Sequence, residues 1–185
     1  MTAGTATAGS MESRRLRDAF GRFGTGVAVA IARSHCGVPS GVTINSFVSV
    51  SLDPPLVAFG LASRAHCLSH FLEAPAVAIS VLRHDQKWIA ANFSRPSAAR
   101  WTGMPIVTSP SRQLVVRDAL VAFECVPERH VTAGDHVVLM LSVRHVLAGA
   151  AGAPLLFFSS GYGSFLPDHG SQSDWGGACA AMGWG

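Results

Sequence analysis

Apolar residues are concentrated in short segments along most of the chain, and such segments are typical of β-strands. Before these segments, apolar residues spaced by three and four positions predict a helix from Ser13 to Phe23, which ends before the glycines of residues 24–26. The predicted strands cover residues 27–32, 41–51, 56–62, 76–82, 119–131, 136–148 and 154–161. Two further short helices are predicted at residues 65–74 and 85–93, with a loop from Pro105 to Pro110.

This succession of elements predicts a mostly β protein with strands in hairpin order. Asp53-Pro54-Pro55 breaks one junction and Gly134-Asp135 marks another turn. The alternation of strands and helices that builds a doubly wound sheet is missing, so we expect an antiparallel barrel with helices at its ends. We predict one domain over residues 13–166, a disordered segment over 1–12, and a Gly/Ser/Ala-rich tail over 167–185. The tail contains Trp175 and Trp184, whose role the sequence leaves open.

Composition narrows the class of protein. The chain has 185 residues, of which 49% are hydrophobic and only 14% charged, and this excludes a disordered protein. Uncharged apolar runs such as residues 56–62 are far shorter than the ~20 residues of a membrane span. The formal charge of +3 is a mild basic excess. The arginines between Arg14 and Arg22 are not interleaved with aromatic residues in the manner of a base-stacking surface, so no nucleic-acid partner is expected. So little charge favours a surface that is covered by a subunit partner or a large apolar ligand.

Motifs for metal or nucleophilic catalysis are missing from the sequence. The four cysteines are scattered without a CxxC pair, and His66 and His70 lack the glutamate that a zinc protease places after its first histidine, so we predict no metal site. Gly21, Gly24 and Gly26 precede a strand instead of joining a strand to a helix, which argues against a phosphate loop. The first ten residues lack a secretory pattern, and we expect a cytoplasmic protein with reduced thiols.

The segment from Gly41 to Ser51 carries the most chemical information. Read as one strand, it puts Thr43, Asn45, Phe47 and Ser49 on one face, and Ile44, Ser46, Val48 and Val50 on the other. Hydroxyl and amide groups around an aromatic ring need hydrogen-bonding partners. Two alternatives stay open for this face: it is solvated, or it binds a flat heteroaromatic ligand.

Four stretches of the chain resemble the short-chain flavin reductase family. They are GVTINSFVSVSLDPPLVAFGLA, AISVLRHDQKWIAANFS, DALVAFECVPERHVTAGDHVVL and PLLFFSSGYG. The resemblance implies a split β-barrel of the FMN-binding type, homodimeric, with flavin near the subunit interface. It also implies an NAD(P)H:flavin oxidoreductase, with NADH and FAD favoured and FMN possible. Reduced flavin would then pass to a partner monooxygenase of aromatic or natural-product metabolism, such as antibiotic biosynthesis.

Two alternatives remain beside this function. One is an enzyme that binds FMN tightly and acts on its own substrate. The other is a non-catalytic flavin- or haem-binding module with the same barrel.

The resemblance also implies a set of site residues. His136 would orient the nicotinamide. The expected flavin contacts are Thr43, Asn45, Ser46, Phe47, Ser49, Ala62, Ser63, Arg64, Ala65, Cys67, Phe93, Ser94, Arg95 and Tyr162. Within this set, residues 62–65 and 93–95 would lie on the phosphate side of the flavin, and Tyr162 beside His136.

Overall fold

The structure is a computed structural model that describes residues 8–35, 37–95 and 101–165. The predicted tail at 167–185, with Trp175 and Trp184, lies outside the described residues. In chain order the elements are α1 (Ala8–Phe20), β1 (Thr25–Gly26), β2 (Ala28–Arg33), β3 (Pro39–Ile44), β4 (Val48–Leu52), β5 (Pro55–Ala62), α2 (Leu68–Glu73), β6 (Val77–Val81), a 3₁₀ turn (His84–Gln86), α3 (Lys87–Phe93), β7 (Ile106–Thr108), β8 (Leu114–Val116), β9 (Val121–Ala133), β10 (His136–Ala148), β11 (Leu155–Phe158) and β12 (Gly161–Ser164).

Seven strands form one sheet in the order β3-β2-β6-β9-β10-β5-β4. Neighbouring strands in this sheet are antiparallel, as the hairpin order predicted. The two edge strands, β3 and β4, follow each other in the chain and are joined only by residues 45–47. A link of that length spans at most about 14 Å. The sheet therefore curls until its two edges approach each other at this connection.

Within the described residues, apolar side chains from both faces of the sheet are buried in two large clusters and one small one. The inner core draws Phe59, Ile79 and Leu141 from β5, β6 and β10 to the concave face. The outer core packs Ile31 against α3 residues such as Phe93. Strand β2 is buried along almost its whole length because it has a core on each side. This explains why its sequence reads as a continuous apolar run instead of an alternating one.

Two small sheets complete the fold. Strands β1, β11 and β12 form a three-stranded sheet, and β7 pairs with β8 as a hairpin. The hairpin occupies the region predicted as a loop from Pro105 to Pro110, and that prediction is wrong. Val116 and Val115 of the hairpin are buried against outer-face residues of the sheet. Strands of three residues are too short to leave a detectable period in the sequence.

Two other predicted elements need correction. Helix α1 runs from Ala8 to Phe20, whereas the prediction ran from Ser13 to Phe23 and assigned residues 8–12 to the disordered segment. Good helix formers such as Ala8 and Met11 extend the helix towards the N-terminus, and residues 21–23 follow it as hydrogen-bonded turns. The predicted strand 41–51 is split into β3 and β4, because residues 45–47 carry the chain from one edge of the sheet to the other.

Among the described residues, no helix is both long and apolar enough to cross a membrane.

Candidate functional site

A cavity of about 130 Å³ lies where β3 leaves the sheet and meets the β11–β12 hairpin. We call it the Tyr162 cavity, and its lining residues are Val27, Thr43, Ile44, Asn45, Phe157 and Tyr162. Three of the predicted flavin contacts, Thr43, Asn45 and Tyr162, are thus brought together. Four of the six lining side chains are apolar or aromatic, and such walls suit a flat ring system.

The two polar side chains of the cavity differ in their hydrogen bonding. The Thr43 hydroxyl donates to the backbone carbonyl of Ala90 at 2.7 Å and so ties β3 to α3. Its proton is therefore not available to a ligand. The exposed Asn45 side chain makes no hydrogen bond to another residue of the described part of the chain. Its amide can both donate to and accept from a heteroaromatic ring.

Tyr162 is held in the cavity wall by two aromatic contacts. Its ring packs edge-on against Phe157 at a centroid distance of 5.4 Å. The ammonium group of Lys87, at the start of α3, lies 5.7 Å from the centroid of the Tyr162 ring. That distance is within the range of a cation–π interaction. A positive charge therefore lies next to the aromatic ring of one lining residue, although Lys87 itself does not line the cavity.

A second cluster forms where Ser46, Gly60 and His136 meet. The Ser46 hydroxyl accepts from the Gly60 amide at 3.0 Å and donates to the Gly60 carbonyl at 3.1 Å. A Cβ atom placed on Gly60 would lie 3.9 Å from Ser46 Oγ and 4.0 Å from His136 Cδ2. The imidazole of His136 therefore extends over β5 on the side where the chain crosses between the sheet edges.

The turn before β10 holds His136 in place. Gly134 has φ +62°, a conformation that favours glycine, and it turns the chain so that the Asp135 carboxylate faces its neighbour. Asp135 Oδ1 lies 2.8 Å from His136 Nδ1. This contact, reinforced by the charges of His136 and Arg64, lowers the pKa of Asp135. The carboxylate is therefore ionised at neutral pH.

The predicted phosphate-side turn is joined to the histidine turn. The amide of Ser63 donates to the backbone carbonyl of Asp135 at 2.8 Å, and His136 is the register partner of Ala62. The turn itself is closed by a bond from the Ala65 amide to the Ala62 carbonyl at 2.8 Å. Arg64, at the tip of this turn, is exposed. Residues 62–65 and His136 therefore share one end of the β5–β10 ladder.

Three other predicted flavin contacts are packed in or against the hydrophobic cores. Phe47 stacks on Phe123 at 5.5 Å and packs against the inner core. Phe93 is 1% exposed and meets Trp101 edge-on at 5.1 Å. Half-buried Cys67 precedes α2 and also packs against the inner core. None of these three side chains lines the Tyr162 cavity.

The remaining predicted contacts lie at exposed positions. Ser49 is exposed on β4 opposite Val57. Ser94 ends α3, where its hydroxyl donates to the Ala91 carbonyl at 2.9 Å, and Arg95 follows it. Neither Ser94 nor Arg95 lines the Tyr162 cavity, to which α3 is connected through Thr43.

The structure adds residues that the sequence interpretation missed. Gly60 bonds the Ser46 hydroxyl through its backbone amide and carbonyl, and it lies next to the Cδ2 edge of His136. Asp135 contacts His136 directly, which the adjacency of the two residues could have suggested. No local sequence pattern predicted the contacts of Lys87 and Phe157 with Tyr162, because only the fold brings α3 and β11 next to this residue.

Comparison with known proteins provides independent evidence on the family of this chain. The family described as "Flavin reductase like domain" matches residues 20–166. The chain is 37% identical over 142 residues to the actinorhodin polyketide dimerase of Streptomyces coelicolor, covering 77% of this chain and 80% of that protein. It is 38% identical over 140 residues to the reductase component of a flavin-dependent trigonelline monooxygenase of Acinetobacter baylyi. That match covers 75% of this chain but only 45% of the relative's length.

Among solved structures, the chain resembles the NADH:FAD oxidoreductase SgcE6 of Streptomyces globisporus, which was determined in complex with NAD and FAD fragments. The TM-score is 0.80 at 30% sequence identity, and the match covers 86% of this chain and 96% of that one. The two proteins therefore share their architecture over nearly the whole described chain.

Proposed function

The chain belongs to the flavin reductase like domain family, and from this premise we propose that it reduces a diffusible flavin with NADH and releases the reduced flavin to a partner monooxygenase. FAD is the favoured flavin and FMN the second. In this reaction a hydride passes from C4 of the dihydronicotinamide to N5 of the flavin, so no side chain has to move a proton in that step. The protein supplies binding, orientation and charge.

The observation that carries the proposal is the family match over residues 20–166, which contains the whole Tyr162 cavity and the His136 turn. The cavity fits a flavin ring in its chemistry, since apolar and aromatic walls surround the free amide of Asn45. The relatives support the direction of electron flow. One is named as the reductase component of a monooxygenase, and another as an NADH:FAD oxidoreductase.

We assign roles to the residues from their positions. Asn45 and Tyr162 would contact the flavin ring, while Thr43 and Ser46 hold the surrounding backbone. Arg64 would pair with the phosphate groups of the flavin, because a guanidinium recognises phosphate through two parallel hydrogen bonds. His136 would hold the nicotinamide within hydride reach of the flavin, a matter of orientation.

Steady-state oxidation of NADH with FAD, FMN and riboflavin side by side tests the function. We expect reduction of at least FAD, and the purified protein should be nearly colourless because flavin leaves as a product. Failure to reduce any of the three flavins would contradict the proposal. A bright yellow protein that retains flavin through gel filtration would instead support an enzyme with bound FMN.

The family membership and the surface also support a homodimeric split β-barrel. Among the strands of the described residues, edge strand β4 pairs only with β5, and Val48, Val50 and Leu52 on β4 are 52%, 45% and 66% exposed. Phe20, the last residue of α1, and Phe23, in the turns that follow it, are 72% and 77% exposed. Apolar patches and free strand edges of this kind are usually covered in solution.

Light scattering at micromolar concentration tests the assembly. We expect a mass twice the 19.3 kDa of one chain. A single species at the mass of one chain would contradict the dimer without affecting the proposed reaction.

We also propose that the protein acts in the cytoplasm. NADH is available there, and the buried thiol of Cys125, which forms no disulfide within the described residues, suits a reducing compartment. The substrate of the partner monooxygenase would belong to aromatic or natural-product metabolism, in line with the actinorhodin dimerase among the relatives.

A further inference from the structure

The contact between Asp135 and His136 determines which nitrogen of the imidazole carries a proton. An ionised carboxylate can only accept hydrogen bonds. Because Asp135 Oδ1 lies 2.8 Å from His136 Nδ1, that nitrogen must be the donor. In the neutral imidazole, a proton on Nδ1 leaves Nε2 with a lone pair and no proton.

The rest of the ring has a defined orientation. The Cδ2 edge faces β5 at Gly60, 4.0 Å from where a Cβ atom would lie. The strand partners of His136 are Ala62 and Ala133, which carry no charge and no side-chain hydrogen-bonding group. Within the described residues, Nε2 makes no hydrogen bond. The side chain of His136 is half exposed, so a ligand can reach this nitrogen.

We propose that Asp135 is a positioning residue that fixes the Nδ1–H tautomer of His136, so that Nε2 accepts a hydrogen bond from the carboxamide N–H of the nicotinamide. The inference rests on the proposed function, since it names the group of NADH that His136 recognises. A carboxamide offers two N–H donors, whereas the pyrophosphate of NADH offers only acceptors. An unprotonated Nε2 therefore matches the carboxamide and not the pyrophosphate.

Asp135 is itself held from two sides. Its backbone carbonyl accepts the Ser63 amide at 2.8 Å, and the positive charge of Arg64 favours its ionised form. The Ser63 amide thus bonds the backbone of Asp135, while the carboxylate itself is faced by His136 of its own turn and by the charge of Arg64 of the neighbouring turn. The turn that we assign to the flavin phosphates thus also fixes the residue that orients the histidine.

The first test measures the tautomer in the free protein and needs no activity. Nitrogen NMR of ¹⁵N-histidine-labelled protein at about pH 8.5, above the ordinary range of histidine protonation, distinguishes protonated from bare ring nitrogens. We expect His136 to carry its proton on Nδ1 in the wild type and to become a mixture of tautomers in Asp135→Ala. Asp135→Asn should restore part of the Nδ1–H form, because the amide oxygen still accepts. A wild-type ring protonated on Nε2 would overturn the proposal.

The second test asks which group of the dinucleotide Nε2 recognises. Reduced 3-acetylpyridine adenine dinucleotide keeps the pyrophosphate and the ring carbonyl but lacks the amide N–H donors. His136→Ala should lower kcat/KM for NADH about ten- to a hundredfold, and for this analogue less than about threefold. Asp135→Ala should lower kcat/KM for NADH about three- to tenfold, the effect of losing one hydrogen bond. Asp118→Asn is the matched control, since Asp118 is exposed and lines a different cavity.

The outcomes separate this inference from the proposed function. If the wild type reduces no flavin, the function fails, and the NMR result still decides the tautomer. If the wild type is active but His136→Ala loses equally with both dinucleotides, Nε2 does not recognise the carboxamide and the inference is wrong. It is also wrong if Asp135→Ala has the kinetics and tautomer of Asp118→Asn. Circular dichroism and the Tm of each variant establish that it is folded.

Discussion

The wall of the Tyr162 cavity and the turn at His136 use their polar side chains in opposite ways. In the cavity wall, the hydroxyl of Thr43 is bonded to the backbone of Ala90. In the neighbouring connection at residues 45–47, the hydroxyl of Ser46 is bonded to the backbone of Gly60. At the turn, Asp135 satisfies one nitrogen of His136 and leaves the other available. Polar residues predicted as ligand contacts therefore divide into those that hold the scaffold and those with a free donor or acceptor.

This difference has a measurable consequence. Removing a polar group that bonds the backbone should lower the free energy of unfolding more than it changes kinetics. Removing a group with a free nitrogen or charge should change kinetics and affinity while stability stays almost constant. Variants of both groups of side chains test this difference. A variant that changes stability where a change in kinetics is expected, or the reverse, contradicts it.

The largest effect is expected for His136→Ala, whose loss in kcat/KM for NADH corresponds to about 1.4–2.8 kcal/mol of transition-state binding. The affinity for FAD should change little, because the imidazole faces the nicotinamide in our assignment. Stopped-flow and steady-state kinetics measure the first quantity and fluorescence titration the second. His136→Asn keeps a polar side chain and should recover part of the activity. Equal losses for NADH and FAD would place His136 among the structural groups.

The next effect concerns Arg64→Ala. Charge-assisted hydrogen bonds contribute about 1.5–3 kcal/mol, so we expect a roughly tenfold or larger rise in the Kd for FAD. Riboflavin has no phosphate and should bind almost as before, which makes it the internal control. The matched control is Arg112→Ala, which removes an exposed arginine from the loop between β7 and β8. If riboflavin and FAD lose affinity equally, Arg64 has a structural role.

A smaller effect is expected for Thr43→Val, on the scaffold side of the comparison. The variant keeps the shape of the side chain but removes its hydrogen bond to the Ala90 carbonyl. The free energy of unfolding in urea should fall by about 0.5–1.5 kcal/mol. Thr43→Ser retains the hydroxyl and should lose less. A Thr43→Val protein of unchanged stability but tenfold weaker FAD binding would show that the hydroxyl serves the ligand.

The smallest effect is a pH dependence at the turn. The pKa of Asp135 is lowered first by its hydrogen bond to His136 and then by the charges of His136 and Arg64. Because the folded-state pKa is depressed, the contact contributes stability above the unfolded-state value, about 3.9 for aspartate, and loses it as the pH falls through the lower folded-state value. Carbon NMR of the Asp135 carboxyl should show this depressed midpoint, which should rise in His136→Ala. An unchanged midpoint would mean that the contact is absent in solution.

The secondary structure could largely be predicted from the sequence. The errors lie at the bounds of α1, at residues 45–47 and at the β7–β8 hairpin. The long strands β9 and β10 and the position of α3 follow from local periodicity, and the structure places them close to their predicted bounds. The break at residues 45–47 could not be predicted. Alternation continues through Asn45 and Ser46 as if the strand did, and only the meeting of the two sheet edges interrupts it.

The surroundings of the predicted site residues depend on packing that the sequence does not show. Phe47 and Phe93 stand within the segments that resemble the family, yet their rings pack into the cores. Gly60 and Asp135, beside predicted residues, have contacts that only the structure gives. A sequence pattern indicates which chemistry is present in a segment, whereas a side chain's partner depends on what packs against it.

By itself, the sequence determined the succession of strands in hairpin order and the family to which the chain belongs. These features depend on local periodicity and on residue types in a fixed order. Only the tertiary structure decided that Thr43 bonds Ala90, 47 positions away, and that the turn at Ser63 bonds the turn at Asp135. Such hydrogen bonds depend on strand register and on how far the sheet curls. Both are set by the packing of all seven strands together, and no local segment contains that information.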